Sequence, residues 1–193
     1  MIDDLIAANR SCRRFAQNHP VGLSTLEQLI DLARLSASGA NLQPLKYILS
    51  CQPALNAEIF SCLGWAAYLK DWPGPEPGER PSAYIVILGD SQISKDFGVD
   101  HGIAAQSVLL GARDKGLAGC MLGSINRKVL RTVLDIPAHL KILLVVAIGK
   151  PREEIVIETV GPDGSIRYWR DERAVHHVPK RSLSDIIVAS HQD

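Results

Sequence analysis

The sequence predicts an α/β or α+β fold in which helices cover a central sheet. Segments with helical spacing are interleaved with short apolar strands, and the helices are long while the strands are few. Hydrophobic residues make up 46% of the chain, which is enough for a substantial core. A sheet sandwiched by helices buries the apolar faces of both. The length of 193 residues fits one domain spanning positions 1–193.

The N-terminal part of the chain predicts two helices and a strand. Apolar residues share one face of the segment IDDLIAANRS, which predicts a short first helix. Ser24 and Glu27 form the pattern of a capping box, so we expect a second helix to open at Ser24 and to run to about Ala37. The turn-rich loop SGANLQP follows, and LKYILSC then alternates like a strand.

The rest of the chain predicts further helices and the most apolar strands. Helical spacing returns in ALNAEIFSCLGWAAYL, in residues 100–115 and in NRKVLRTVLDI. The second of these is apolar on nearly all sides, which is typical of a helix in the middle of a protein or in a subunit interface. AYIVILGD and KILLVVAIGKP read as buried strands, whereas LAGCMLGSI reads as a glycine-punctuated connection. Four prolines in residues 73–81 exclude regular structure there.

Composition argues against several classes of protein. The chain has 21 basic and 21 acidic residues and a pI near 7.0, which argues against a nucleic-acid partner. No apolar run approaches the length of a membrane span, which argues against a membrane partner. The N-terminus lacks the basic start and long apolar stretch of a signal peptide, so we expect a cytoplasmic protein.

Cysteine and histidine usage predicts no metal site. The four cysteines form no CxxC pair and have no zinc-ligand spacing, so we expect reduced, mostly buried thiols, with a redox role for Cys120 as the alternative. His176 and His177 are adjacent, and neighbours on an extended chain point to opposite faces. The chain also lacks a P-loop and a GxSxG elbow, and its glycines do not fit the GxGxxG fingerprint.

Two polar motifs remain as candidates for a functional site. The segment NRSCRRF concentrates three arginines and a serine, which fits either a solvated helix end or an anion site, because arginine offers a rigid fork of donors. The loop SGANLQP supplies hydroxyl and amide groups that act as both donors and acceptors. That set suits a heteroaromatic ring with imide edges, although an ordinary polar turn has the same composition.

Taken in order, these segments resemble the FMN-dependent nitroreductase family. NRSCRRF, SGANLQP, DHGIAAQSVLLGARDKGLAGCMLG, VVAIGKP and the late PKR follow the order of the family's motifs over roughly residues 2–185. The resemblance implies an α+β fold, a nitroreductase-like three-layer sandwich with a mixed, mainly antiparallel sheet flanked by helices. It also implies a domain completed by dimerisation, a homodimer with FMN at the subunit interface.

The resemblance implies a set of cofactor contacts. The arginine cluster and the late basic pair would hold the FMN phosphate and ribityl chain, the SGANLQP loop would meet the flavin ring, and the glycine-rich turn would approach its redox-active nitrogen. Tyr68 and Trp72, near the proline-rich segment, are candidates for substrate binding as a lid. The implied cofactor-binding residues are Arg10, Ser11, Arg13, Ser38, Asn41, Gln43, Gly123, Ser124, Lys180 and Arg181.

The function implied is a flavin-dependent oxidoreductase. NADH or NADPH would reduce FMN in a ping-pong cycle, and a nitroaromatic, quinone or similar acceptor would then be reduced; no catalytic side chain is assigned, because the flavin carries the chemistry. The alternatives are a flavin enzyme of the same fold that dehydrogenates a small ring or fragments a flavin, and a non-catalytic flavin-binding protein. Asn9 stands where many relatives have arginine, so Arg14 is a possible replacement.

Overall fold

A four-stranded antiparallel sheet forms the centre of the computed structural model, which describes residues 1–192. The strand order is β1–β2–β4–β3, so the two most apolar segments of the sequence are the central pair. All eight residues of the second strand are buried, as expected for a strand covered on both faces. The strands are β1 Leu45–Ser50, β2 Ala83–Asp90, β3 Ala118–Leu122 and β4 Leu140–Gly149.

Helices cover both faces of this sheet, so the molecule has three layers. Alternate residues of β2 point to opposite sides. Ile85 and Ile87 pack in one core with α2 and α4, and Tyr84 and Val86 pack in the other core, which includes residues of α3 and α5. The helices are α2 Leu23–Arg34, α3 Pro53–Ser61, α4 Asp100–Asp114 and α5 Arg127–Val133.

The N-terminal segment runs from a short helix into extended backbone. Helix α1, Ile2–Ala8, ends at the C-cap Asn9. Ser11 then forms an isolated parallel bridge with Gly119 of β3, and Phe15 forms an isolated antiparallel bridge with Pro151. The segment NRSCRRF therefore begins at the end of α1, where Arg10 donates to the Ile6 carbonyl, and continues along the edge of the central sheet beside β3.

A second, smaller sheet follows the central one. Its order is β5–β7–β6, with β5 and β7 parallel and β6 antiparallel to β7, so the fold as a whole contains mixed pairing. The buried carboxylate of Glu153 joins this sheet to the N-terminal segment, because it accepts from the Arg170 guanidinium at 2.5 Å and from the Arg13 amide at 2.8 Å. The elements are β5 Ile155–Thr159, β6 Trp169–Arg170, β7 His176–Lys180 and α6 Leu183–Ile186.

The predicted bounds of α2 are wrong at both ends. The helix begins at Leu23 after an extended Gly22, and no side-chain cap or capping box forms at Ser24. It ends at Arg34 instead of Ala37. The carboxylate of Asp100 holds the backbone after the helix, since it accepts from the Ser38 hydroxyl at 2.6 Å and from the Gly39 amide at 2.9 Å.

One further helix is shorter than predicted, and one segment predicted as a connection is a strand. The helix predicted for ALNAEIFSCLGWAAYL ends at Ser61, because Leu63 pairs with Ile125 instead; Trp65 is buried from a loop. The supposed connection LAGCMLGSI contains strand β3. Glycine at position 119 allows the close strand approach, since a Cβ there would lie 2.4 Å from the carbonyl oxygen of Ala147.

Within residues 1–192, the structure contains no helix that is both long and apolar enough to cross a membrane.

Candidate functional site

A cationic cavity of about 290 Å³ lies where the N-terminal segment meets β3, α4 and the second sheet. Arg10, Arg13 and Lys180 contribute positive charge, and Ser11 and Gln106 contribute neutral polar groups. No carboxylate is among the residues that line it. The cavity is lined by Asn9, Arg10, Ser11, Arg13, Gln106, Leu109, Met121, Tyr168, His176, Val178 and Lys180.

Neutral groups from the N-terminal segment and from residues in and next to the second sheet hold the guanidinium of Arg13. Its Nη1 donates to the Ser11 carbonyl at 3.3 Å and lies 3.4 Å from Nε2 of His176. Its central carbon lies 4.9 Å from the ring centroid of Tyr168, which is a cation–π arrangement. The side chain is therefore held by neutral groups, so its positive charge is not cancelled by an acidic partner at the guanidinium.

Two guanidinium nitrogens of this cavity are buried and unpaired. Nε of Arg10 and Nε of Arg13 have no hydrogen-bond partner among the described residues. Arg10 is otherwise anchored by a 2.9 Å donation from Nη2 to the Ile6 carbonyl. Buried donors are normally paired, so these nitrogens suit a ligand with acceptor oxygens. A phosphate monoester, with a charge of roughly −1.5 to −2 at pH 7, matches the three cations in both charge and acceptors.

His176 contributes a neutral ring to the cavity. Burial lowers its pKa to about 4; Glu153 opposes the shift, and the charges of Arg13 and Arg170 reinforce it. The ring is therefore uncharged near pH 7, and its Nε2 can accept from Arg13. The charge of the cavity at that pH comes from the two arginines and Lys180.

The late basic pair separates at the end of β7. Lys180 is the last residue of that strand and lines the cavity, whereas Arg181 is exposed and does not line it. Asn9 is buried and lines the cavity beside Arg10. In a single chain, the residues of this predicted group that come together are therefore Arg10, Ser11, Arg13 and Lys180.

Arg14 lies outside the cationic cavity, and its charge is already paired. Its Nε donates to Glu79 at 2.7 Å, and a second guanidinium nitrogen contacts the other carboxylate oxygen at 2.5 Å. This bond is the main cause that raises the pKa of Arg14 and lowers the pKa of Glu79. Arg14 therefore ties the N-terminal segment to the proline-rich segment and does not stand in for Asn9.

The loop SGANLQP lies at a second, smaller cavity of about 160 Å³. Ser38 and Gln43 line it together with Asp100 and Tyr47, and Asn41 is exposed beside it. The loop is strongly shaped: Asn41 and Gln43 have φ values of 55° and 50° in the left-handed region. The Ser38 hydroxyl holds it by accepting from the Gln43 amide at 2.9 Å.

Within one chain, this amide loop and the cationic cavity share no lining residue. Helix α4 contributes to both of them, Asp100 and Ala104 to the smaller cavity and Gln106 and Leu109 to the cationic one. The two predicted halves of the cofactor site are therefore presented separately along one helix. Their assignment to one flavin stays a prediction.

Gly123 and Ser124 lie just past the end of β3 and are exposed. Met121 of the same strand lines the cationic cavity, so the strand leads from the cavity to these two residues. A Cβ at Gly123 would meet nothing within 4 Å, so the chain leaves open space there. Their predicted contact with the flavin also stays a prediction.

Tyr68 contacts Tyr168 at the edge of the cavity, and Trp72 contacts Arg170 of β6. The rings of Tyr68 and Tyr168 have centroids 4.9 Å apart, and Tyr168 lines the cavity. The guanidinium of Arg170 lies 4.2 Å from the ring centroid of Trp72. Tyr68 is 47% exposed, so its ring is accessible to a ligand at this rim. Tyr68 therefore lies beside the cavity, whereas Trp72 packs on Arg170, which does not line it; the role of both residues as a lid stays a prediction.

Sequence reasoning missed Tyr168, His176, Val178, Gln106 and Met121. The segment HHVPK contained a usable signal, because alternate residues of a strand share a face and His176 and Val178 therefore lie on the same side as Lys180. No comparable local signal pointed to Tyr168 or Gln106. Their part in the cavity depends on how the second sheet and α4 pack against the N-terminal segment.

The two adjacent histidines, His176 and His177, lie in different surroundings. His177 stacks on Trp169 with ring centroids 4.0 Å apart, and its Nδ1 lies 2.5 Å from Glu158. His176 faces the cationic cavity instead. Among the described residues, no group of three or more potential metal ligands comes together.

The fold and this cavity define the class first: an α+β three-layer sandwich with a cation-lined cavity at the junction of its two sheets. A model of the Nitroreductase family matches residues 6–150. This match covers most of the chain, and the chain therefore belongs to the Nitroreductase family. The cavity draws on Arg10 and Arg13 within the matched region, and on Tyr168, His176 and Lys180 beyond it.

Known proteins that resemble this chain carry names of the same family. A relative from Archaeoglobus fulgidus, named NADH dehydrogenase/NAD(P)H nitroreductase, is 27% identical over 158 residues, with 78% of this chain and 85% of the relative covered. A nitroreductase family protein from Clostridium novyi NT has a TM-score of 0.66 at 23% identity, covering 79% and 87% of the two chains. An FMN-dependent nitroreductase from Clostridium difficile R20291 has a TM-score of 0.65 at 22% identity, covering 80% and 89%. The predicted fold is confirmed.

Proposed function

We propose that this protein is an FMN-dependent oxidoreductase that uses NADH or NADPH to reduce nitroaromatic, quinone or similar acceptors. The observation that carries the proposal is the cavity with three cations and no carboxylate, in a chain of the Nitroreductase family. The choice of a nicotinamide nucleotide as reductant is supported by the name of a relative, and the choice of FMN is supported by the name of a similar solved structure. Bound FMN supplies hydride acceptance and electron donation, which the side chains themselves do not provide.

The cationic cavity would hold the phosphate end of the cofactor. Arg10 and Arg13 offer unpaired buried nitrogens, and Lys180 adds a third charge. His176 and Tyr168 would keep the Arg13 guanidinium in place without neutralising it. Charge-assisted hydrogen bonds of this kind are roughly twice as strong as neutral ones, which favours retention of a phosphorylated ligand.

The loop SGANLQP would serve the polar edge of the flavin ring in a homodimer. Asp100 holds Ser38 and Gly39, so the loop keeps its shape before any ligand arrives. Gln43 lies on the exposed side of the loop, where its Nε2 donates to Oδ1 of Asn41 at 3.2 Å and its amide oxygen can accept from a ligand. Because the loop and the cationic cavity are separate within one chain, a site shared between two subunits would bring one of each together.

The absorption spectrum of the purified protein tests this proposal directly. The protein is incubated with FMN, freed of excess cofactor on a desalting column, and titrated without oxygen with NADH and then with NADPH. We expect a yellow protein whose flavin absorbance is bleached by at least one nucleotide. Menadione or nitrofurazone should then restore the absorbance and support steady-state nucleotide oxidation.

Two outcomes would contradict different parts of the proposal. A protein that retains FMN but is reduced by neither nucleotide would overturn the oxidoreductase activity and favour a flavin-binding protein without turnover. A protein that takes up no FMN would overturn the cofactor as well. Lys128→Ala is the matched control for charge changes in the cavity, because Lys128 is exposed on α5 and lines neither cavity.

A further inference from the structure

A third cavity, of about 300 Å³, lies away from both cavities described above. It is bounded by the loop at residues 17–21, by helix α3 and by the segment that leads from the proline-rich region into β2. Its volume is at the lower end of the roughly 300–1,000 Å³ that small-molecule sites occupy. None of its lining residues lines the cationic cavity or the smaller cavity at the loop SGANLQP.

Two hydroxyl groups on the walls of this cavity are buried and unpaired. Tyr84 is 1% exposed and lines the cavity, and its hydroxyl has no hydrogen-bond partner among the described residues. The hydroxyl of Ser82 is also buried without a partner and belongs to the same wall. An unsatisfied buried polar group costs roughly 1–3 kcal/mol, so a ligand oxygen that accepts from these hydroxyls would remove a real penalty.

Arg80 adds a positive charge to the cavity wall. Its guanidinium lies 4.2 Å from the ring centroid of Phe60, and its Nε donates to the Pro75 carbonyl at 3.4 Å. Burial raises the pKa of Tyr84 and the charge of Arg80 opposes that shift, so the phenol is protonated at neutral pH and lies within the field of the guanidinium. No acidic residue lines the cavity to cancel the charge of Arg80.

The remaining walls are largely apolar. Val21 belongs to the core on the α2 side, and Phe60 packs against the core on the α3 side. Pro20, Pro53 and Pro81 add rigid apolar surface between them. A flat hydrophobic ring gains free energy from such walls, at about 25 cal/mol for each Å² of apolar surface removed from water. The cavity therefore combines an apolar slot, one cation and two hydroxyl donors.

We propose that this cavity is a second ligand site, which binds a small aromatic carboxylate of one or two rings. The ring packs between Phe60 and the prolines, the carboxylate pairs with Arg80, and a polar ring substituent accepts from the hydroxyl of Tyr84. The site is independent of the proposed FMN chemistry, because it uses no residue of the other two cavities.

Cys51 provides a local reporter for occupancy. It lines this cavity and is half-buried, whereas Cys12, Cys62 and Cys120 are buried and do not line it. A ligand in the cavity should therefore slow the alkylation of Cys51 by iodoacetamide. The rate is measured by mass spectrometry of the intact protein and of its peptides. Binding in the cationic cavity would leave this rate unchanged, so the two sites are distinguished.

The test uses two probes of nearly the same shape, the anion 4-hydroxybenzoate and the neutral 4-hydroxybenzamide, and measures binding to the full chain by isothermal titration calorimetry. We expect 4-hydroxybenzoate to bind and to protect Cys51, and the neutral amide to bind about tenfold more weakly, as expected for loss of a charged hydrogen bond. Arg80→Gln should weaken the acid by a similar factor and leave the amide unchanged. Tyr84→Phe should weaken both probes by roughly threefold to tenfold.

Matched variants keep the result interpretable. Arg173→Gln removes an exposed arginine elsewhere, and Thr132→Val removes an exposed hydroxyl on α5 that lines none of the three cavities. Both should bind 4-hydroxybenzoate like the unmodified protein. The proposal is overturned if millimolar 4-hydroxybenzoate neither binds nor protects Cys51, or if binding persists undiminished in both Arg80→Gln and Tyr84→Phe. Unchanged circular dichroism of each variant ensures that a loss reflects the site.

Discussion

At the scale of single residues, the segment NRSCRRF divides its side chains between two tasks. Arg10, Ser11 and Arg13 line the cationic cavity, while Cys12 is buried in a small core with Phe15. Burial is the main cause that raises the pKa of Cys12 to about 12, so this thiol is inert near neutral pH. Beyond the end of α1 the backbone is extended, and its alternation places Ser11 and Arg13 on the side opposite Cys12.

The arginine assignment gives a prediction at this scale. Replacing Arg10 and Arg13 together with alanine removes two cations from the cavity and should abolish retention of FMN on a desalting column. Each lost hydrogen bond to a charged group is worth about 1.5–3 kcal/mol, so each arginine should contribute roughly tenfold or more in affinity. The measurement is the ratio of flavin absorbance to protein absorbance after desalting, with fluorescence titration for the weaker variants.

Lys128→Ala is the control for this pair, because it removes an exposed charge elsewhere and should retain FMN fully. Arg14→Ala makes a second comparison: it breaks the pair with Glu79 and should lower stability more than cofactor affinity. Flavin retention that is unchanged in the Arg10 and Arg13 double variant would remove the phosphate site from this cavity.

At the scale of elements, the local sequence pattern was sufficient to predict the strands with long apolar runs and the helix with regular spacing. The apolar runs of β2 and β4 and the spacing in α4 predicted elements that the structure contains. Strand β3 was missed, because its sequence AGCML is short and contains glycine, which is uncommon inside strands. Its strand conformation depends on pairing with β4, which the local sequence does not reveal.

The close packing of β3 gives a prediction about stability. A Cβ at Gly119 would lie 2.4 Å from the Ala147 carbonyl oxygen and 2.6 Å from Cδ2 of Leu109. Gly119→Ala should therefore destabilise the fold by about 1–3 kcal/mol, as overpacking of a core does. Gly123→Ala is the matched control, because a Cβ there meets nothing within 4 Å and the change in stability should stay within about 0.5 kcal/mol.

The measurement is the midpoint of urea unfolding for both variants. Circular dichroism monitors the unfolding, and all samples have the same protein concentration. Equal midpoints for Gly119→Ala and the unmodified protein would mean that β3 and α4 can move apart without cost. The tight contact between these two elements would then not explain the glycine.

At the scale of the whole molecule, local sequence patterns did not reveal which contacts bring the two ends of the chain together. Residues 10–13 meet Lys180 because β7 pairs in parallel with β5, and because Glu153 links Arg13 to Arg170. The family resemblance implied a phosphate clamp made from both ends of the chain. Arg10, Arg13 and Lys180 line one cavity, and their binding of a phosphate stays a prediction. Tyr168 and His176 were not predicted, because their contacts with Arg13 arise from this long-range packing.

The separation of the cationic cavity from the loop SGANLQP motivates the prediction of a homodimer with a shared site. Two defective proteins test it: one carries Arg10→Ala and Arg13→Ala, and the other carries Ser38→Ala, Asn41→Ala and Gln43→Ala. We expect each alone to lose FMN and to remain a dimer in light scattering.

If each site takes the cavity from one subunit and the loop from the other, a mixed dimer contains one intact site, so refolding the two proteins together should restore part of the flavin binding. Refolding each protein alone is the control, and should restore none. If both halves of a site came from the same chain, every site in the mixture would remain defective; no recovery, or a stable monomer that retains FMN, would therefore rule out the shared site.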